Sequence, residues 1–567
     1  MDNQTTNLST RIYDVAIMGG GAAGLTLARQ LILSKPDLEV VMVERNERAT
    51  EAAHKVGEST VDISAHYLRE TLQLGEHLDG DQLEKFGMRF FFSQGNNNDI
   101  ARRVELGHSD QPRSGATFQL DRGRFENHLT GLVREAGVEV LAGHKIRYVD
   151  LGEAGEPHQL HIKGPSGRDH LQATWVVDAT GRTATLKRKL GLAKPNDHNV
   201  NAVWFRLDNP IDVEEWSNEP AWRGRIKNGR RFLSTNHLVG EGYWVWLIPL
   251  ASGAMSVGIV ADPAHHPFEQ LNTFDKAQAW LREHEPQCAE AVAARADGRL
   301  DFRVLKNYSY WCTQMFSEDR WCLSGEAGIF LDPLYSPGLD MISLGNGLIT
   351  DLVVRSSQGE DVSELAAIHN TVFFLIADGW LPIYENQYAI LGNARVMSAK
   401  IIWDITVYWA VPSLLFHHSQ FTELIDRPQI VSQLARLTLL TEPIQNFFRQ
   451  WSLVEATGHR DDFVGFYDFD FMSDLHQAMG NGTDQPGLVA QLRANLDLLE
   501  ALAAELVSDV SAELAGSTHP AAVAQASKWG KDKALNRIAT RRDQYADPSV
   551  NNWLRLLPAL PATVQAQ

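Results

Sequence analysis

Between a short apolar run, Tyr13-Asp14-Val15-Ala16-Ile17-Met18, and a stretch of helical periodicity from Leu25 to Leu33 stand six small residues, Gly19-Gly20-Gly21-Ala22-Ala23-Gly24. Few features narrow the choice of fold as much. In the G-x-G-x-x-G spacing the first glycine makes the tight turn, the second lets backbone approach a pyrophosphate, and the third lets helix pack closely on strand. Ser34-Lys35-Pro36-Asp37 breaks the helix, and a second apolar run, Leu38 to Val43, ends in Glu44. That acid lies about twenty residues beyond the glycines, where a ribose-binding carboxylate belongs. Strand, glycine turn, helix and strand together predict a dinucleotide cradle. Its contacts are Gly19, Gly21, Ala22, Ala23, Gly24, Glu44 and Arg45, with the free N–H groups of the helix N-terminus facing the phosphates. A glycine turn without a ligand is the competing reading.

The chain has 567 residues, 44% apolar and 22% charged, with a net charge of -19. Two or three structural units are expected of that length. The acidity argues against a nucleic-acid surface or an anionic membrane as main partner. Cys288, Cys312 and Cys322 lack metal-ligand spacing and are too few for a disulfide framework, so no metal site and a reducing cytoplasm are expected. Met1 to Arg11 is polar, with no apolar core of a secretory signal. The most lipid-like stretch, Ile401 to Phe416, is interrupted by Asp404 and Pro412. It reads as a buried helix or the wall of an apolar pocket, without stable membrane insertion.

Farther along, Leu83 to Ser93 reads as one strand with Lys85, Gly87 and Arg89 on one face and Phe86, Met88 and Phe90 on the other. Asp121-Arg122 leads into a helix with Phe125, Leu129, Leu132 and Val133 on one side, stopped by Gly137. Tyr148 to Gln172 reads as a hairpin, and Trp175 to Asp178 as a further buried strand running into Ala179-Thr180-Gly181, a second place where backbone approaches the cofactor. Ala202 to Leu207, Gly242 to Leu250 and Met255 to Val260 suggest a separate, substrate-facing sheet. The loop Ser324 to Asp340 is dense in Gly, Pro and carboxylate, and a helix is expected over about 342 to 357. Beyond about residue 360 the texture becomes helical and aromatic, predicting a helical C-terminal domain over 360–567. Leu556 to Gln567 reads as a loosely ordered tail.

Four stretches resemble the FAD-dependent (tryptophan-halogenase-like) halogenase family, within the aromatic flavin monooxygenase fold, over about residues 12 to 350. These are the glycine motif, Val56-Gly57-Glu58-Ser59-Thr60, Lys85 within Lys-Phe-Gly-Met-Arg-Phe, and Trp244-Val245-Trp246-Leu247-Ile248-Pro249, a full W-x-W-x-I-P. The resemblance implies an α/β (α+β) fold: a Rossmann-like FAD-binding domain with an inserted antiparallel substrate sheet and a helical C-terminal domain. The FAD segments would be about 11–75, 117–190 and 308–357, and the substrate sheet about 80–116 and 195–305. It implies that reduced FAD and O2 give a hydroperoxide, that chloride or bromide attacks it to form hypohalous acid, and that Lys85 aims the electrophile at the substrate. A lysine facing a dry interior has its charged form disfavoured, so it can donate a proton to hypohalous acid or, when neutral, form a haloamine. The competing reading for Lys85 is an exposed strand lysine paired with Glu84 or Glu105.

The same resemblance puts Trp244 and Trp246 between flavin and substrate, a placement compatible with a half-buried aromatic strand face. It assigns Glu58, Ser59, Arg122, Asp178, Gly181, Gly325, Glu326 and Asp332 to the cofactor, with a surface ion pair as the alternative for Arg122. Glu326 stands where the family has Asp. Ser336 falls in the catalytic loop, and the halide would meet the two following positions, Pro337 and Gly338. Proline has no N–H to offer an anion. Tyr335 replaces the glutamate of tryptophan halogenases, which shifts the expected substrate from free tryptophan to phenolic, pyrrolic or carrier-tethered aromatics of secondary metabolism. A single dinucleotide fingerprint implies a separate flavin reductase delivering reduced FAD by diffusion. Two other readings stay open: a flavin monooxygenase that does not halogenate, and a non-catalytic flavoprotein.

Overall fold

The computed structural model describes residues 11–47, 57–112, 115–153, 155–165, 167–455, 462–541 and 553–557. Val56 of the Val-Gly-Glu-Ser-Thr stretch and the end of the C-terminal tail lie outside the described residues. The chain divides into two compact units, one of Met1–Gln82, Leu120–Asn196 and Ser309–Ala377, the other of Leu83–Gln119, Asp197–Tyr308 and Asp378–Gln567. The region read as a separate C-terminal domain therefore contributes to both.

In the first unit a seven-stranded sheet runs in the order Glu139–Ala142, Val40–Glu44, Ile12–Met18, Gly167–Asp178, His158–Gly164, Lys145–Asp150, with Trp321–Leu323 also paired to Gly167–Asp178. The first three pairings are parallel and the last two antiparallel. Val15 to Met18 and Val40 to Val43 are buried, as strands covered on both faces must be. The sequence suggests a hairpin and then a separate strand at Trp175. The structure has one twelve-residue strand, antiparallel in its first half and parallel to Ile12–Met18 from Gln172 onward. The helix Arg122–Glu135 buries Phe125, Leu129 and Val133, whereas Leu132 is only half-buried.

The second unit is built on an eight-stranded sheet in the order Arg303–Leu305, Asn201–Leu207, Met255–Ala261, Tyr243–Pro249, Thr235–Gly240, Met88–Phe92, Glu105–Gly107, Phe463–Gly465. It is mainly antiparallel rather than purely so. Thr235–Gly240 runs parallel to Met88–Phe92, and Phe463–Gly465 parallel to Glu105–Gly107, because each pair is joined through a long excursion. One face, with Phe91, Leu238, Tyr243, Val245, Leu247, Val257 and Ile259, packs in a core with Trp280 and Leu281 of the helix Phe274–His284. Alternation sends Phe90, His237, Trp244 and Trp246 to the other face.

Three local expectations need correction. Leu83–Ser93 is not one strand: it breaks after Glu84 and resumes at Met88, with Gly87 in the left-handed region at φ +65°. A Cβ there would sit 2.3 Å from the His108 ring, so glycine is required. Lys85 and Arg89 consequently do not share a strand face. The helix expected from about 342 begins at Pro337, whose fixed φ suits a first helical position. Among the described residues beyond 360 the helices are joined by one short strand, Phe463–Gly465, at the edge of the sheet.

Among the described residues two helical stretches, Ser363–Tyr384 and Ala394–His417, are long and apolar enough to cross a membrane by length and composition. Of the second's apolar window 83% is buried inside the protein. It also holds a buried ion pair, Lys400 Nζ to Asp404 Oδ2 at 2.6 Å, as a core helix can.

Candidate functional site

In the first unit the glycine turn has the shape the sequence requires. Gly19 has φ +109°, and a Cβ on it would lie 2.4 Å from the Ala179 carbonyl oxygen; one on Gly24 would lie 2.0 Å from the Gly19 oxygen. Gly21 caps the helix Ala22–Ser34 with no side-chain hydrogen bond and no acidic residue in the first turn, so the leading N–H groups suit an anion. Glu44 is half-buried at the end of its strand. Its Oε2 accepts from the Gly20 N–H at 2.7 Å and its Oε1 from the Asn46 N–H at 2.8 Å, and each oxygen keeps a further lone pair for a ribose hydroxyl. Arg45 is exposed beside it. These groups fit a dinucleotide.

The other cofactor candidates gather in the same unit. Gly325, at φ +58°, approaches so closely that a Cβ would be 3.2 Å from the Ala23 Cβ. Glu326 is half-buried, and its carbonyl accepts from the Tyr310 hydroxyl at 2.6 Å. Lys187 Nζ donates to the Gly328 carbonyl at 2.7 Å and lies 3.8 Å from the Tyr310 ring centroid. Burial lowers its pKa to about 8. Asp178 is fully buried and braces the Thr180-Gly181 turn: it accepts from Thr180 N at 3.0 Å, Thr180 Oγ1 at 2.6 Å and Leu186 N at 2.6 Å. Glu58 and Ser59 are buried, and the Glu58 carbonyl accepts from Leu120 N at 2.7 Å. Arg122 is a buried residue rather than a surface one. It donates to Glu126 Oε1 at 2.6 Å and to the Gly57 carbonyl at 3.2 Å.

Asp332 is buried and accepts from Leu334 N at 2.9 Å. Tyr335 and Ser336 follow with φ of 66° and 60°, a costly left-handed pair for residues with side chains. The Ser336 N–H donates to the Pro333 carbonyl at 2.9 Å. Pro337 then opens the helix Pro337–Ser357, and Gly338 is exposed with nothing within 4 Å of an added Cβ.

Lys85, Trp244 and Trp246 belong to the second unit. Lys85 is buried in the break between two strands, its N–H donating to the Thr117 carbonyl at 2.7 Å. Neither acid suggested as its partner is placed for that role. Glu84 is exposed, and the Glu105 carboxylate is taken up by arginines: Arg89 at 2.6 Å, Arg231 at 2.8 Å and Arg225 at 3.2 Å. Trp244 and Trp246 are buried, with ring centroids 5.6 Å apart. Trp246 lies over Gly258, where a Cβ would be 2.1 Å from the indole, and donates to Ser256 Oγ at 3.1 Å. Trp244 donates to the Tyr388 hydroxyl at 2.8 Å.

Sequence reasoning missed two residues beside these tryptophans. His237 stacks on Phe90 at 4.5 Å and lies 5.5 Å from Trp244. Its Nδ1–H donates to the Arg89 carbonyl at 3.0 Å. Burial, together with the nearby Lys85 charge and against that hydrogen bond, lowers its imidazole to about 3, so it stays neutral. The tight Gly240-Glu241-Gly242 stretch ahead of the tryptophan strand was the available signal for a hairpin partner carrying His237. Nothing short-range points to Tyr388.

Comparison with known proteins matches the Tryptophan halogenase family to residues 93–364 and the Lycopene cyclase protein family to residues 14–64, the stretch that carries the glycine turn. The flavin-dependent halogenase chlA of Dictyostelium discoideum is 27% identical over 439 residues, 70% of each chain. A 1H-pyrrole-2-carbonyl peptidyl-carrier-protein chlorinase of Pseudomonas fluorescens is 26% identical over 64% of this chain and 80% of its own. Among solved structures, a point mutant of the halogenase PltM in complex with FAD superposes with a TM-score of 0.62 at 18% identity, covering 87% of this chain and 96% of the other. The fold is thus shared with a halogenase crystallised with FAD, and the family match spans the W-x-W-x-I-P strand. In sequence and in fold the chain is similar to flavin-dependent halogenases.

Proposed function

We propose that this FAD-dependent halogenase delivers hypohalous acid through Lys85 to an electron-rich aromatic, phenolic, pyrrolic or carrier-tethered. The observation that carries the proposal is a buried lysine in a strand break, in the same unit as the aromatic face of Phe90, His237, Trp244 and Trp246. When bound, reduced FAD would activate O2, the oxidant, for the two-electron oxidation of chloride or bromide to hypohalous acid. Gly19, Gly21, Ala22, Ala23 and Gly24 would receive its pyrophosphate, Glu44 and Arg45 its adenosine half. Glu58, Ser59, Arg122, Asp178, Gly181, Gly325, Glu326 and Asp332 would shape the rest of its site.

Lys85 can donate a proton to hypohalous acid as the ammonium or, as the neutral amine, take the halogen as a haloamine with loss of water. His237 is compatible with this chemistry because it stays neutral, adding no second positive charge beside Lys85. The indoles of Trp244 and Trp246 would keep an organic substrate from the flavin oxidant and so suppress hydroxylation. Ser336 and the Gly338 N–H would attend the halide, with Pro337 contributing no donor.

The relatives' names motivate the substrate class, because they include pyrrolyl-carrier chlorinating and brominating enzymes, and a related halogenase has been crystallised with phloroglucinol. We further propose a cytoplasmic enzyme served by a separate flavin reductase; product formed from NAD(P)H without reductase would refute that partner. Substituting Lys85→Ala tests the central role. Halogenation should fall by about a thousandfold or more, as for loss of a positioned reactive group, with FAD affinity kept. Retained halogenation removes Lys85 from the mechanism. Pro337 and Tyr335 favour one alternative, a monooxygenase on the same fold, which predicts oxygen incorporation without halide dependence.

A further inference from the structure

The two tryptophans of the W-x-W-x-I-P strand are fixed by different parts of the chain. Trp246 is held by its own sheet, over Gly258 and against Ser256. Trp244 is held from outside it. The segment containing Tyr388 docks on the tryptophan strand and the turn that precedes it at three points. Gly392 approaches so closely that a Cβ would be 2.8 Å from the Glu241 nitrogen. The Tyr388 carbonyl accepts from the Gly242 N–H at 3.0 Å, and the Tyr388 hydroxyl accepts from Trp244 Nε1 at 2.8 Å.

Tyr388 is itself buried, with the His198 ring 5.6 Å away, and Asn393 caps the helix Ala394–Tyr408 that follows. Both rings of the pair are therefore buried and joined by a hydrogen bond within the second unit. Tyr388 also lies beyond residues 93–364, the part of the chain matched by the family. The family match covers the strand, and the residue that holds its first indole comes from the C-terminal helical region.

We propose that Tyr388 is a positioning residue for Trp244: the Nε1–H···Oη bond fixes which face the indole presents, and through it the C-terminal helical region sets how well the oxidant is confined and the substrate fitted. This rests on the screening role proposed above for Trp244. Removing the hydroxyl leaves a buried indole N–H without an acceptor, which favours a rotated or displaced ring. The reaction should then leak, giving hydrogen peroxide in place of halogenated product.

The test is a double-mutant cycle on Tyr388→Phe, Trp244→Phe and the pair. In single turnovers with reduced FAD, O2 and bromide, parallel samples yield the ratio of brominated monochlorodimedone to hydrogen peroxide. Each single substitution should lower that ratio by about fivefold or more, measured at a temperature where circular dichroism shows every variant folded, with FAD affinity unchanged. The double variant should be no worse than the worse single one, because both remove the same bond. In the 1H–15N spectrum of indole-labelled protein, the Nε1–H resonance lost in Trp244→Phe should shift in Tyr388→Phe.

Additive losses, or a Tyr388→Phe enzyme with the wild-type ratio and an unshifted resonance, would overturn the positioning role while leaving the halogenase reading intact. A Trp244→Phe enzyme with the wild-type ratio would instead remove the screening role, and with it this inference. Should the wild type brominate nothing, the halogenase reading falls, and the resonance shift alone decides whether Tyr388 orients Trp244.

Discussion

The backbone N–H of Gly20 donates to Oε2 of Glu44 at 2.7 Å, tying the glycine turn to the acid at the end of the second strand. The two halves of the dinucleotide fingerprint are thus one rigid object. Glu44→Ala should loosen the turn and remove the proposed ribose acceptor together. A charged hydrogen bond contributes about 1.5–3 kcal/mol, so the dissociation constant for FAD should rise roughly tenfold or more, as read by flavin fluorescence titration.

Gly24→Ala should fail more severely. Its Cβ would lie 2.0 Å from the Gly19 carbonyl oxygen, a backbone atom that cannot swing away. Destabilisation of about 3 kcal/mol is expected, as for overpacking where the surroundings cannot relax. The melting temperature should drop, and FAD binding should be lost even at saturating cofactor.

Glu105 carries a pH prediction. Burial raises its carboxyl pKa, but Arg89, Arg231 and Arg225 outweigh burial and hold it below the ordinary value of 4.5. A depressed pKa stabilises the folded state above the unfolded value, and that stabilisation is lost as pH falls through the folded value. Glu105→Gln should cost about 3–5 kcal/mol at neutral pH, because it strands buried guanidinium charge. Urea midpoints measured from pH 7 downward should show the wild-type advantage shrinking below the ordinary glutamate range.

The glycine turn, Glu44 and the W-x-W strand are local patterns, each fixed within a few residues, and the sequence displays them directly. Lys85 was legible as a candidate, but its setting was not. The alternating pattern around it suggests one strand, and only the left-handed Gly87, pressed against His108 from a distant segment, breaks it. Arg122 read equally well as a surface residue because its burial depends on Gly57 and Glu126 closing over the same guanidinium. Tyr388 and the edge strand Phe463–Gly465 were invisible, since their partners lie more than a hundred residues away.

Pro337 makes a prediction in the unusual direction of gain. Pro337→Ala supplies an N–H at the first helical position, next to the exposed Gly338. If halide is held there, one added donor should lower the KM for bromide by about threefold to tenfold, measured at saturating reduced FAD. An unchanged KM would place the halide elsewhere.

The most direct measurement of the central claim is a single turnover of the wild-type protein. Reduced FAD is bound anaerobically, O2 is admitted with chloride or bromide, and monochlorodimedone reports halogenation, with catalase excluding peroxide artefacts. Halide-dependent consumption of the probe is the predicted result. Hydrogen peroxide alone, released at the same rate with or without halide, would contradict the account and favour the monooxygenase reading.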